Sequence, residues 1–262
     1  DGEIVEPVAY TNSVTLNGVN GGNGWSGAWS VGSGTYTAET FSLSYETNYP
    51  AKAANRIRVA DPGNGGQPFA TRSFPARTSG KLYVAAVVSY QYQGPWKFAG
   101  FSLMSNTSEK VFIGKIPNSE NNRFGLTASR NATDYSVSGA TLGDFNTSTG
   151  NVYVMIGTYD FGTRELKGKV YARTAAIPET EPGSWDVSRT FAVGHANSID
   201  GIRLASGALG APDGSIGQTL YDEIRVANTW SELLRIVAQP QIAVLGTNLA
   251  GLGTTNTPAG VN

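Results

Sequence analysis

Ten short runs of strand-forming residues restrict this chain more than any other feature. They are "TYTAETFSLSY" (35–45), "RIRVA" (56–60), "KLYVAAVVSYQY" (81–92), "FAGFSLMS" (98–105) and "VFIGKI" (111–116), then "NRFGLTA" (122–128), "NVYVMIGTYD" (151–160), "LKGKVYAR" (166–173), "SIDGIRLAS" (198–206) and "LYDEIRVA" (220–227). Gly, Asn, Pro and Asp punctuate the intervals, as they do at tight turns. Short strands with such turn signals every roughly ten to fifteen residues predict an all-β, antiparallel sandwich or jelly roll.

The runs differ in pattern. In 166–173, Leu166, Gly168, Val170 and Ala172 share one face, and Lys167, Lys169, Tyr171 and Arg173 the other. Residues 82–88 are apolar on both faces, which predicts a central strand covered on both sides. One segment reads as a helix, "NTWSELLRIVA" (228–238), where Thr229 and Glu232 have capping-box spacing. After Pro240 no charged residue follows, so the chain divides into a sandwich over 1–239 and an uncharged strand or tail over 240–262. No repeat of 20–50 residues is visible, which argues against solenoids and propellers.

Charge then removes some partners. The net charge is −1 and charged residues make up 15%, so no basic field exists to draw nucleic acid or anionic lipid. No apolar run approaches the roughly 18 residues of a membrane span. With no cysteine there is no disulfide, thiolate metal site or cysteine nucleophile. A Gly-, Asn-, Ser- and Thr-rich chain opening on Asp1 without Met predicts a secreted, extracellular or cell-surface protein after loss of a signal peptide.

Few residues offer catalytic chemistry. Retaining glycoside hydrolysis needs two carboxylates about 5 Å apart, which a strand supplies at alternate positions. No motif of the E-x-D-x-x-E kind, which would set such carboxylates along one strand face, is present. Asp222 and Glu223 are adjacent and point to opposite faces, Asp222 with Leu220, Ile224 and Val226, Glu223 with Tyr221 and Arg225. Asp222 reads as a buried structural acceptor and Glu223 as an ion-pair partner. His195, the one histidine, reads as a turn or strand-end residue. "DPGNGG" (61–66) and "APDGS" (211–215) offer one Asp each and are ordinary turns, without EF-hand spacing. No cofactor, metal ligand or catalytic residue is assigned.

Two aromatic groups call for explanation. "LNGVNGGNGWSGAWSV" (16–31) holds Trp25 and Trp29 in a stretch too Gly-rich for a helix and lacking a phosphate-loop Lys. Its tryptophans are expected to plug into sheet edges. "SYQYQGPWKFAGF" (89–101) sets Tyr90, Tyr92, Gln93 and Trp96 around a Gly-Pro turn. Aromatic faces with amides suit sugar stacking, against the alternative of a hairpin with cross-strand aromatic pairs.

"LNGVNGGNGWSGAW" (16–29), "FAGFSLMSNTSEKVFIGKI" (98–116), "IDGIRLASG" (199–207) and "LYDEIRVANTWSELL" (220–234), in this order, resemble the motifs of LamG-like, concanavalin A-like jelly rolls of bacterial secreted and surface proteins. The tail resembles the first strand of an immunoglobulin-like surface-anchor repeat. The resemblance implies a β-sandwich, usually non-catalytic, in adhesion, glycan binding or structural roles. Related folds carry calcium between loops, which keeps that metal as an alternative. Two functions follow. The first is a self-assembling structural module, in which Ile242, Val244, Leu245 and Leu249 are donated as a strand to another copy of the chain, giving a filament or surface layer. The alternative is a lectin-like module that binds a polysaccharide through 89–101 or through the loops at one edge of the sandwich.

Overall fold

The computed structural model describes residues 3–43, 45, 55–60, 67–91, 97–116, 123–130, 134–137, 152–208 and 218–235. Fifteen strands lie among them: β1 (Ile4–Glu6), β2 (Ser30–Ser33), β3 (Thr35–Thr40), β4 (Asn55–Ala60), β5 (Phe69–Arg77), β6 (Lys81–Gln91), β7 (Lys97–Ser105) and β8 (Ser108–Lys115), then β9 (Phe124–Thr127), β10 (Tyr135–Val137), β11 (Val152–Asp160), β12 (Glu165–Ala172), β13 (Val187–Thr190), β14 (Ile199–Ala208) and β15 (Gln218–Ala227). A short helix, α1 (Trp230–Leu234), follows. One antiparallel sheet runs β13-β12-β11-β6-β15-β4-β3, with β1 also paired to β15. The other runs β10-β9-β8-β7-β14-β5-β2. Sequence neighbours repeatedly cross between the sheets, as in a jelly roll, and the all-β expectation holds.

The main core lies between the two sheets. β6 shows why the sheet order forms. Leu82, Val84, Ala86, Val88 and Tyr90 enter that core, while Tyr83, Ala85 and Val87 enter a second apolar layer on the outer side. That layer includes Leu43, Ile177, Trp230 and Leu233. A strand apolar on both faces therefore sits in the middle of its sheet, between β11 and β15. β12 keeps the predicted alternation, with Leu166 and Val170 in the core. Thr229 caps α1, its hydroxyl accepting from the Glu232 backbone N–H.

β15 departs from simple alternation. Between Asp222 and Arg225 it carries one residue more than β6 opposite, and Glu223 takes φ 46°. This β-bulge returns Ile224 and Val226 to the inner face used by Tyr221. Asp222 thus shares its outward face with Leu220 but not with Ile224 and Val226, correcting the alternation read from sequence. The bulge also marks a change of neighbour: β4 pairs with Gln218–Tyr221 and β1 with Ile224–Val226.

Five strands escaped the pattern: β1, β2, β5, β10 and β13. β5 reads FATRSFPAR, with Arg72 among its inward residues and Pro75 inside it. Pro75 is tolerated because β2 pairs only with Phe69–Thr71, leaving β5 an edge beyond that point. The run predicted over 35–45 stops as a strand at Thr40. Phe41 turns to φ 73°, and Ser42 and Leu43 bend across the sheet to Asp222. Two sheet edges are lined by the N-terminal segment. Ser13 and Leu16 donate backbone N–H groups to Ala38 and Tyr36 of β3, and the Asn17 side chain accepts from Val31 of β2. Residues 236–262, including Ile242, Val244, Leu245 and Leu249, lie outside the described residues.

Candidate functional site

The Gly-Trp stretch is structural. Trp29 is buried, and its indole N–H donates to Glu6 at 3.1 Å. The Trp25 indole N–H donates to the Val5 carbonyl at 3.1 Å. Between them lies Arg72, its guanidinium carbon 4.8 Å from the Trp25 ring centre and 5.7 Å from that of Trp29. Arg72 pairs with Glu6 and donates also to Tyr10 Oη, Asn20 Oδ1, Gly21 O and Gly27 O. The glycines let the backbone close around this cage. Gly22 has φ 71°, and a Cβ there would stand 2.2 Å from the Val5 carbonyl oxygen.

The other predicted residues fall as follows. Tyr90 belongs to the core, with its hydroxyl donating to Ala99 O at 3.0 Å. Its inward parity on β6 takes its ring away from a ligand surface. Tyr92, Gln93 and Trp96, and both candidate calcium turns, lie outside the described residues. Asp222 is a buried acceptor, receiving Ser42 Oγ–H at 2.6 Å, Leu43 N–H at 2.8 Å and Glu223 N–H at 2.9 Å. Glu223 pairs with Arg225 at 3.5 Å. His195 sits in a turn, stacked 4.3 Å from Phe191 and held against the Lys110 carbonyl. Among the described residues no three His, Asp or Glu side chains gather as a metal site, and no helix is long and apolar enough to cross a membrane.

A cleft of about 350 Å³ opens on the outer side of the β6 sheet, where β6 begins and α1 starts. Its lining comes from Tyr83, the 179–181 segment and residues 228–231. Tyr83 points outward because it has the opposite parity to Leu82 and Val84. Its ring meets Trp230 edge-on at 6.2 Å, and Trp230 in turn meets Trp185 at 6.0 Å. The Trp230 indole N–H fixes the overlying segment by donating to Pro178 O at 2.8 Å. Tyr83 donates its hydroxyl to Glu181 at 2.6 Å, and Lys81 Nζ reaches the same carboxylate at 2.9 Å. Burial and the hydrogen bond to Glu181 hold the Tyr83 hydroxyl well above its ordinary pKa. Burial alone pushes Glu181 up, but the Tyr83 and Lys81 hydrogen bonds and the Lys81 charge outweigh it, leaving the carboxyl below its ordinary range. Glu181 is therefore a fixed anion. Glu179 lines the same cleft and is exposed.

Sequence reading passed over this cleft because its parts are remote in the chain. The one local sign was the Thr229–Glu232 capping box, which marks the start of α1 and so the wall of the cleft. Together the residues offer one fixed carboxylate, one free carboxylate and hydroxyls beside aromatic ring edges.

No known protein family and no curated protein matches the chain. Solved structures similar to it share little sequence. A botulinum neurotoxin type C chain, whose cell entry depends on interaction with two ganglioside molecules, has a TM-score of 0.48 at 9% identity, covering 83% of this chain and 48% of the toxin chain. Lectin II from Ulex europaeus has a TM-score of 0.42 at 8% identity, covering 73% and 92%. The cellulose induced protein Cip1 has a TM-score of 0.44 at 14% identity, covering 77% and 91%. The chain thus spans about half the length of the toxin chain, and all three likenesses concern the sandwich fold.

Proposed function

We infer that this chain is a non-catalytic carbohydrate-binding module of a secreted or surface protein, and that the Tyr83–Glu181 cleft holds the sugar. One observation carries the reading. Among the described acids, Glu179 is the one with no cation, hydroxyl or backbone N–H on its carboxylate, and it lines this cleft. A free carboxylate beside a fixed one accepts pairs of sugar hydroxyls. The cleft volume falls in the range of about 300–1,000 Å³ usual for small-ligand sites. The non-catalytic part of the reading rests on the same engagement: the other described carboxylates already hold cations, caps or turns.

The test is a panel of neutral oligosaccharides titrated against wild type, Glu179→Ala and Tyr83→Phe. Binding by wild type that weakens about tenfold or more in Glu179→Ala is expected, since the lost hydrogen bonds are to a charged group. A wild-type chain that binds no member of the panel, or a Glu179→Ala variant that binds unchanged, overturns the assignment.

A further inference from the structure

The outer face of the second sheet carries two arginines that the fold has not finished. Ser102 on β7, Arg203 on β14 and Thr71 on β5 lie side by side in register. Glu109 on β8 turns back toward them and accepts the Ser102 hydroxyl at 2.6 Å. Arg130, in the connection after β9, donates its backbone N–H to Glu109 at 3.0 Å and its Nη1 to the same carboxylate at 2.7 Å. Arg203 approaches that carboxylate only to 3.6 Å. Both guanidinium carbons stand over one ring, Phe69, at 4.6 Å for Arg203 and 5.7 Å for Arg130.

Two cations here share one anion. The side chains are 11% exposed for Arg130, 12% for Arg203 and 9% for Glu109, so water reaches them poorly. The Nε–H groups of Arg130 and Arg203 are buried without a hydrogen-bond partner. Burial and the Arg130 charge pull the Arg203 guanidinium below its ordinary pKa, against the pull of Glu109. A buried excess cation with idle N–H groups is costly unless an anion completes it. The planar guanidinium fork matches a carboxylate.

We propose that Arg130 and Arg203, over Phe69, form a second binding site that takes the carboxylate of an acidic saccharide. The saccharide nature of the ligand rests on the carbohydrate-binding reading; the anion site does not use the cleft.

The experiment is calorimetric titration of the full chain with glucuronate and galacturonate oligosaccharides, with the matching neutral oligosaccharides and with acetate. The uronates are expected to bind, and Arg203→Gln to weaken them about ten- to hundredfold, the usual loss for charged hydrogen bonds. Arg203→Lys keeps the charge without the fork and recovers only part of the binding. Glu179→Ala, in the cleft, leaves uronate binding unchanged. Neutral sugars that bind wild type and Glu179→Ala equally, or bind neither, while uronates still bind would sink the cleft alone. No uronate binding by wild type, or equal binding by Arg203→Gln, overturns the proposal. Acetate bound as tightly as glucuronate overturns its saccharide part. An Arg203→Gln chain that fails to fold also overturns it, because the side chain would then be a structural cation.

Discussion

Arg72 and Arg203 are both arginines taken out of water in a β-sandwich, and both lie against aromatic rings. They differ in how they are completed. Arg72 spends all five N–H groups on Glu6, Tyr10, Asn20, Gly21 and Gly27, and its side chain is 0% exposed. Arg203 makes no side-chain hydrogen bond among the described residues, and its nearest carboxylate is already held by Arg130 and Ser102. Burial alone therefore does not say what a charged group is for. Its hydrogen-bond count says more: a saturated buried ion is part of the scaffold, and an unsaturated one keeps donors that the scaffold does not use.

The sharpest way to break that contrast is to remove Arg72. Arg72→Met leaves the Glu6 carboxylate buried with Tyr10, Trp29 and the Val8 N–H but no cation. Losing one partner of a buried pair costs about 3–5 kcal/mol. Urea unfolding of Arg72→Met should show a loss of that size. A loss under about 1 kcal/mol would mean the cage is not a keystone, and the contrast with Arg203 would fail.

Much of this was legible in the sequence, for reasons that particular residues show. The double-sided run at 82–88 gave the central strand, because full burial leaves a period-free apolar pattern. Asn106, at φ 52°, turns the β7–β8 hairpin between the paired residues Ser105 and Ser108, in keeping with the resemblance noted for 98–116. Trp25 and Trp29 read correctly as anchors. Their true partner was hidden, since Arg72 looks like a solvent-facing residue and lies more than forty residues away. The β15 bulge was invisible for another reason. One extra residue at Glu223 shifts every later side chain without changing the local composition. Arg130–Glu109–Arg203 leaves no local signature and the Tyr83 cleft only the capping box of α1, because the parts of each are remote in the chain and meet only in the fold.

Asp222 sharpens the same contrast with a smaller effect. Like Glu6 it is buried and receives several donors, but among the described residues no cation pairs with it. Burial pushes its carboxyl up to about 8, with the Glu223 charge adding to that and the Ser42, Leu43 and Glu223 donors opposing it. Because this value lies above the ordinary one, the folded chain keeps a proton that the unfolded chain releases. The group's contribution to stability is then fully present below about pH 4 and is lost as pH rises toward 8, by at most about 1.4 kcal/mol per pH unit. Urea unfolding between pH 4 and 8 should therefore show a falling stability that Asp222→Asn flattens by about 1–3 kcal/mol between pH 5 and 7. Parallel curves for the two proteins would mean that three donors suffice to hold the anion, and that a buried carboxylate needs no cation here.

The smallest effect is the most telling. Arg203→Gln should leave stability within about 0.5 kcal/mol of wild type, the range of substitutions that break no specific feature. The opposing terms are visible in the structure. The variant loses an ion pair at 3.6 Å and a ring contact with Phe69. In return it removes a desolvated cation, its unpaired Nε–H and its repulsion with Arg130. Arg130 keeps Glu109, so no carboxylate is stranded, unlike Glu6 in Arg72→Met. Urea unfolding at neutral pH decides between the two arginines directly. A loss of 3 kcal/mol or so, the cost of breaking a buried pair, would make Arg203 a second Arg72. A change near zero leaves a positive group that the fold carries but does not need.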